Sequence, residues 1–183
     1  KRDFLASASK FTVAGLTGAA LVEALSPNYA RAAEVAADDP RIVATTASYA
    51  SPKGNGTISG LLVKPAGAEA KRPGVLVVHE NRGLNPYIAD VARRVAVAGY
   101  VAFAPDALSP QGGYPGSDDQ GREMQAKIDP VKLMEDFFAG YEFLAGHEAV
   151  AGKAGCVGFC YGGGVCNALA VAYPTLAASV PFY

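Results

Sequence analysis

The stretch Gly155-Cys156-Val157-Gly158-Phe159-Cys160-Tyr161-Gly162-Gly163-Gly164 limits what this chain can fold into more than any other. Residues 155–159 suit a buried strand, Cys160 stands at a turn, and the glycines after it let a helix begin at once. The pattern is G-x-C-x-G, the spacing of a nucleophile elbow with cysteine in place of serine. A nucleophile on such a turn occupies a strained backbone position with its side chain exposed, so residues two before and two after it must lack a Cβ. The helix that follows points free N–H groups and its dipole at the sulfur, which favours a thiolate. The alternative is a packed structural cysteine, since cysteine is among the most buried residue types. The strand pattern before Cys160 and the helix pattern after it support the elbow.

A chain of 183 residues suits one domain with a sizeable core. Its formal net charge is −1, and no Lys/Arg cluster marks a nucleic-acid surface. The three cysteines, Cys156, Cys160 and Cys166, crowd one strand–helix unit. An odd number so placed is a poor disulfide framework, and without a nearby histidine the spacing does not suit zinc. Cys156 is expected in the strand and Cys166 on the helix. Gly162-Gly163-Gly164 lacks the spacing and the lysine of a phosphate loop. No metal and no cofactor is expected.

Residues 1–32 read as a targeting segment. Lys1-Arg2-Asp3-Phe4-Leu5 resembles a twin-arginine export signal with lysine for the first arginine; a weakly apolar stretch and Ala30-Arg31-Ala32 follow. Export to the periplasm is one reading; an amphipathic N-terminal helix in a cytoplasmic protein is the other, since Glu23 interrupts the apolar run. The stretch is too short and broken to span a membrane. Residues 33–41 read as a linker, and 42–183 as the main domain.

In that domain, Ile42–Ala50 and Thr57–Lys64 flank a turn-rich segment and predict an antiparallel hairpin at a sheet edge. Gly74–His79 is a continuous apolar run, hence a central parallel strand. Asn85 can cap a helix with Pro86 in its first turn, running to about Ala98, with Ile88, Val91, Val95 and Ala98 on one face and Gly99 as its stop. Tyr100–Pro105 is another buried strand. The segment 106–129 reads as a long functional loop. Asp129-Pro130 opens a helix with the stripe Leu133, Phe137, Tyr141, Leu144 and a stop at Gly146. The elbow strand and helix follow, the helix to about Tyr173, then a strand over 177–182. This order predicts an α/β fold with a doubly wound, mostly parallel sheet. Ligands in such sheets bind beyond the carboxyl ends of the strands, where residues 80–83, the loop after 106 and Cys160 meet.

His79-Glu80-Asn81-Arg82-Gly83, Ala104-Pro105-Asp106 and Gly158-Phe159-Cys160-Tyr161-Gly162-Gly163, in that order, resemble the dienelactone hydrolase (carboxymethylenebutenolidase) family of the α/β-hydrolase fold, over about residues 42–183. The resemblance implies that Cys160 attacks an ester or lactone carbonyl to give an acyl-enzyme. It implies that Glu80 contacts the cysteine and helps control its ionisation, and that the backbone N–H groups of Asn81 and Tyr161 form the oxyanion hole. Those two donors also follow from the elbow layout itself, which takes one from the residue after the nucleophile and one from the loop after an earlier strand. Arg82 is a candidate for an anionic substrate group or a surface ion pair. His79 reads as a packed strand residue and His147 as a surface residue.

The sequence departs from the family in two places. The segment after the Pro-Asp strand end reads Ala107-Leu108-Ser109-Pro110-Gln111 and lacks the arginine that holds the substrate carboxylate, with Arg82 or Arg122 as substitutes. After Cys160 there is no Asp, Glu or His, although a thiol nucleophile wants a histidine oriented by an acid, and in this fold both follow the nucleophile. The expectation is therefore the N-terminal part of a hydrolase, lacking the last strands and helix of the fold. A companion polypeptide carrying Asp and His is the expected partner, besides a small ester or lactone substrate. The competing readings are a catalytically inactive remnant serving as a binding or assembly subunit, and a redox role for Cys160.

Overall fold

A computed structural model describes residues 33–183; the targeting-segment reading falls on residues 1–32, outside them. The described residues form six strands and four α-helices: β1 (Ile42–Ser51), β2 (Gly56–Pro65), β3 (Arg72–Val78), α1 (Pro86–Val97), β4 (Val101–Asp106), α2 (Asp118–Gln125), α3 (Pro130–Ala145), β5 (Val150–Phe159), α4 (Tyr161–Ala172) and β6 (Ser179–Phe182). They build one mixed sheet in the order β1-β2-β4-β3-β5-β6. The predicted hairpin is there, in a register from Ile42↔Pro65 to Ser51↔Gly56. β2 also runs antiparallel to β4, and β4, β3, β5 and β6 are parallel.

The two faces of the sheet carry different cores, and strand alternation sorts the residues between them. Ala102 and Ala104 of β4 and Val77 of β3 pack under α1 with Ile88, Ala92 and Ala96. Val101, Phe103, Leu76 and Val78 face the other way, against Leu133, Phe137, Tyr141 and Leu144 of α3 and Val165, Cys166 and Leu169 of α4. This is why β3 and β4 read as unbroken apolar runs: both faces are covered.

Three expectations need correction. The buried stripe of α1 is Ile88-Ala92-Ala96; Val91 and Val95 are half-buried and Ala98 is exposed. The small alanines let the helix sit close to the sheet, so the i, i+4 row wins over the row of larger residues. The segment 106–129 is not one long loop: it contains a 3-10 turn, Ser109–Gln111, and α2. Helix α2 has no apolar stripe to betray it; its local signals are Ser117 at the N-cap, Asp118 and Asp119 in the first turn and Arg122 in the last. β5 begins at Val150 rather than Gly155, because a register irregularity between Arg72 and Gly74 recruits Val150 to the sheet.

The segment expected as a linker is docked on α1. The Val35 amide donates to Asp90 Oδ1 at 2.9 Å, and Arg93 Nε donates to the Val35 carbonyl at 2.7 Å.

Candidate active site

Cys160 lies at the end of β5 with φ 54° and ψ −112°, a backbone conformation L-residues rarely adopt, and it caps α4. Its neighbours explain how it stays there. A Cβ on Gly158 would strike the Gly162 carbonyl, and a Cβ on Gly162 would strike the carbonyls of Val78 and His79. A Cβ on Gly163 would stand 2.9 Å from the carbonyl oxygens of Phe182 and Tyr183. The first turn of α4 is thus pinned between the ends of β3 and β6. The Cys160 amide donates to the Phe182 carbonyl at 2.9 Å, and the Cys160 carbonyl accepts from the Gly163 amide at 2.9 Å.

The close approach of Gly162 to residues 78–79 brings the loop after β3 beside the elbow. Asn81 and Tyr161 line one cavity of about 320 Å³, together with Gln125, Ile128, Leu133 and Arg122. The Asn81 side-chain oxygen and the Tyr161 hydroxyl are buried, and neither has a hydrogen-bond partner among the described residues. Burial, helped by the Asp136 charge, pushes the Tyr161 phenol up to about 12, so it stays protonated near neutral pH. The backbone N–H of Tyr161 opens α4, where no intrahelical acceptor exists for it.

The other side of the site is held by side chains from distant parts of the chain. Asp106, buried at the end of β4, accepts from the amides of Leu84 (3.2 Å) and Leu108 (3.0 Å) through Oδ1 and of Tyr114 (3.0 Å) through Oδ2. Gln125 of α2 accepts from the Gly83 amide at 3.1 Å. Asp118 accepts from Arg82 (2.9 Å), Tyr114 (2.9 Å) and Asn85 (3.3 Å). Burial works against the Asp118 carboxylate, but these three donors outweigh it and hold its pKa below the ordinary value. Gly121 completes the contact, since a Cβ there would meet the Arg82 carbonyl. Sequence reading missed Gln125, Asp118 and Gly121; nothing local marks residues whose partners lie some forty positions away.

Of the predicted site residues, Cys160 and Tyr161 share the elbow, and Asn81 joins Tyr161 at the cavity. Glu80 is half-buried with its carboxylate 3.5 Å from Arg82 Nε. Arg82 is 22% exposed and lies between the carboxylates of Glu80 and Asp118, tying the loop after β3 to α2. Neither histidine is placed to serve Cys160 as a base. His79 is fully buried with both ring nitrogens engaged. His147 precedes β5, so that strand's ten residues, at about 3.3 Å each, separate it from the elbow.

Among the described residues no cluster of His, Cys, Asp or Glu is arranged to hold a metal ion, and no helix is long and apolar enough to cross a membrane. Cys156 and Cys166 are buried free thiols, on the strand and the helix as predicted.

The sequence profile of the dienelactone hydrolase family matches residues 58–183. An Escherichia coli (strain K12) protein described as the hydrolase fragment YghX is 61% identical over 116 residues, 63% of this chain and 99% of that one. A Synechocystis protein described as a carboxymethylenebutenolidase is 33% identical over 139 residues, 72% of this chain and 56% of that one. The chain thus spans about half the length of that relative. Among solved structures, a dienelactone hydrolase-like promiscuous phosphotriesterase from metagenomic libraries superposes with a TM-score of 0.59 at 27% identity, over 71% of this chain and 54% of that one.

Proposed function

The chain belongs to the dienelactone hydrolase family, and from that premise we propose that it is the nucleophile-bearing part of a carboxylic ester or lactone hydrolase. The observation that carries this reading is the backbone of Cys160 at φ 54°, ψ −112°, strain that a merely packed cysteine has no use for. The Cys160 thiolate attacks the substrate carbonyl carbon, a C–S bond forms and the ester C–O bond breaks. The leaving alkoxide takes up the proton that the thiol gave up; water then forms a C–O bond to the thioester carbonyl carbon, the C–S bond breaks and Cys160 leaves as the thiolate. During each step the carbonyl oxygen carries negative charge, and the N–H groups of Asn81 and Tyr161 are the donors that meet it. Removing one such donor costs about a hundred- to a thousandfold in rate.

Glu80, on the loop that Gly162 brings beside the elbow, is the acidic neighbour that the family resemblance assigns to Cys160. The Asp and His that complete a triad are absent from residues 161–183 and are supplied from outside these 183 residues, as the share of its relatives' length suggests. The cavity beside Asn81 and Tyr161 takes the substrate. Arg122, at its rim and about half exposed, is the candidate for a substrate carboxylate in place of the arginine missing from 107–111; Arg82 is the second candidate. A twin-arginine-like segment at residues 1–32 would send the protein to the periplasm, which fractionation of cells with and without Arg2→Ala would test.

The test is p-nitrophenyl acetate hydrolysis by the purified protein, alongside Cys160→Ala and intact mass. The expected result is a nitrophenolate burst with one acetyl group on Cys160 and neither in the variant. A wild type that never acylates would favour the second reading, a binding or assembly subunit on a hydrolase scaffold. A phosphotriester, the substrate class named for the metagenomic neighbour, is the natural second assay.

A further inference from the structure

We propose that His79 is a positioning residue of the oxyanion hole, fixing and polarising the Glu80–Asn81 peptide whose N–H is one of the two donors. The inference rests on the reading of Cys160 as an acylated nucleophile.

The argument starts from the ring's two partners. His79 Nδ1 lies 2.6 Å from the Glu80 carbonyl oxygen, and Nε2 lies 3.2 Å from the Ala107 amide nitrogen. A backbone amide can only donate, so Nε2 is the acceptor and carries no hydrogen. In a neutral imidazole the proton then sits on Nδ1, which donates to Glu80. The tautomer is therefore set by the network. Burial lowers the pKa of His79 from its ordinary 6.5, outweighing the Glu80 carbonyl and the Asp106 charge, which keeps the ring neutral.

The carbonyl of Glu80 and the N–H of Asn81 are opposite ends of one planar peptide. Clamping the oxygen sets the direction in which the N–H points. Donating to that oxygen also polarises the amide and strengthens its N–H as a donor, the usual cooperativity of hydrogen-bond chains. An oxyanion hole works because its donors are aligned before charge develops, so both effects matter for rate. The ring itself cannot drift: it is fully buried, anchored to the turn after β4 through Ala107, and packed edge-on against Phe137 at 5.3 Å. Phe137 also faces the ring of Tyr161, with centroids 6.3 Å apart, so one aromatic side chain of α3 backs both the His79 ring and the donor residue Tyr161.

The test compares His79→Asn and His79→Leu with wild type in two reactions at Cys160. In asparagine, Nδ2 stands two bonds from Cβ, where Nδ1 stands in histidine, so the bond to Glu80 survives and the one to Ala107 is lost. Leucine loses both. Acylation by p-nitrophenyl acetate needs the oxyanion hole; alkylation by iodoacetamide attacks a saturated carbon and does not. His79→Leu is expected to slow acylation about 10- to 100-fold while alkylation changes less than about threefold. His79→Asn is expected to recover most of the acylation rate. Parallel losses in both reactions, or an asparagine variant no better than leucine, would overturn the proposal. Nitrogen-15 shifts of the wild-type ring give a readout independent of activity and of whether the leucine variant folds: protonation on Nε2 instead of Nδ1 would sink this inference alone. A wild type that is alkylated at Cys160 but never acylated would instead sink the hydrolase reading and this inference with it.

Discussion

At the elbow, residues 158–164, shape is set by atoms that are missing; in the loops facing it, residues 79–85 and 106–125, it is set by side chains that reach backbone groups far away in sequence. The elbow glycines let carbonyls of β3, β6 and α4 come closer than any Cβ allows. The facing loops are sewn together by Asp106, Gln125 and His79, each bonded to backbone amides or carbonyls, and by Asp118, which gathers the side chains of Arg82, Tyr114 and Asn85. One wall is therefore sensitive to adding an atom and the other to removing an acceptor. The strain at Cys160 is affordable only because both walls are rigid.

The largest effect should come from overfilling the elbow. Gly162→Ala places a methyl group against the carbonyls of Val78 and His79 at the end of the central strand β3, which has no room to retreat. A loss of about 4 kcal/mol is expected by urea unfolding. Gly164→Ala, in the same glycine run but with nothing within 4 Å of its Cβ, should instead be neutral or gain up to about 1 kcal/mol from helix propensity. Equal losses at both positions would break the distinction between the two.

On the facing wall, Asp106→Ala strips the acceptor from three amides at once. About 3 kcal/mol should be lost, since each unsatisfied buried donor carries a desolvation penalty. Hydrogen exchange at Leu84, Leu108 and Tyr114 should accelerate before exchange in β5 does.

A smaller effect is pH-dependent. Burial holds the folded-state pKa of His79 below 6.5, so the unfolded chain takes up this proton first as pH falls. The stability that His79 contributes is full above about pH 6.5 and declines as pH falls below it. The difference between wild type and His79→Asn, measured at pH 7.5 and 5.5, should shrink on the acid side; a constant difference would mean that the ring titrates alike in the folded and unfolded chain.

The smallest change is a gain. Cys160→Gly relieves the positive φ and should stabilise by about 1 kcal/mol after the entropy of the added glycine is subtracted, while abolishing acylation. A destabilised glycine variant would show that the side chain itself contributes packing and that the backbone is not under strain.

Much of this organisation is local and so was legible beforehand. The β1–β2 hairpin, the central strands β3 and β4, the Asn85 and Asp129 caps and the stripe of α3 all depend on spacings within a few residues. Cys160 was legible because the glycines that permit its geometry sit two residues to either side. Arg82, read as a substrate or surface residue, lies between Glu80 and Asp118, and helix α2, which supplies Asp118, has no apolar period of its own.

From the sequence alone came the six strands, three of the four helices and the strained position of Cys160, because steric and burial patterns repeat at short range. Only the tertiary structure decided what faces the elbow. Asp106 reaches Leu84 across 22 positions, Gln125 reaches Gly83 across 42, and His79 reaches Ala107 across 28. Hydrogen bonds of that kind leave no periodic trace in a sequence, since the acceptor is a single side chain and its partner is a backbone amide that every residue except proline possesses.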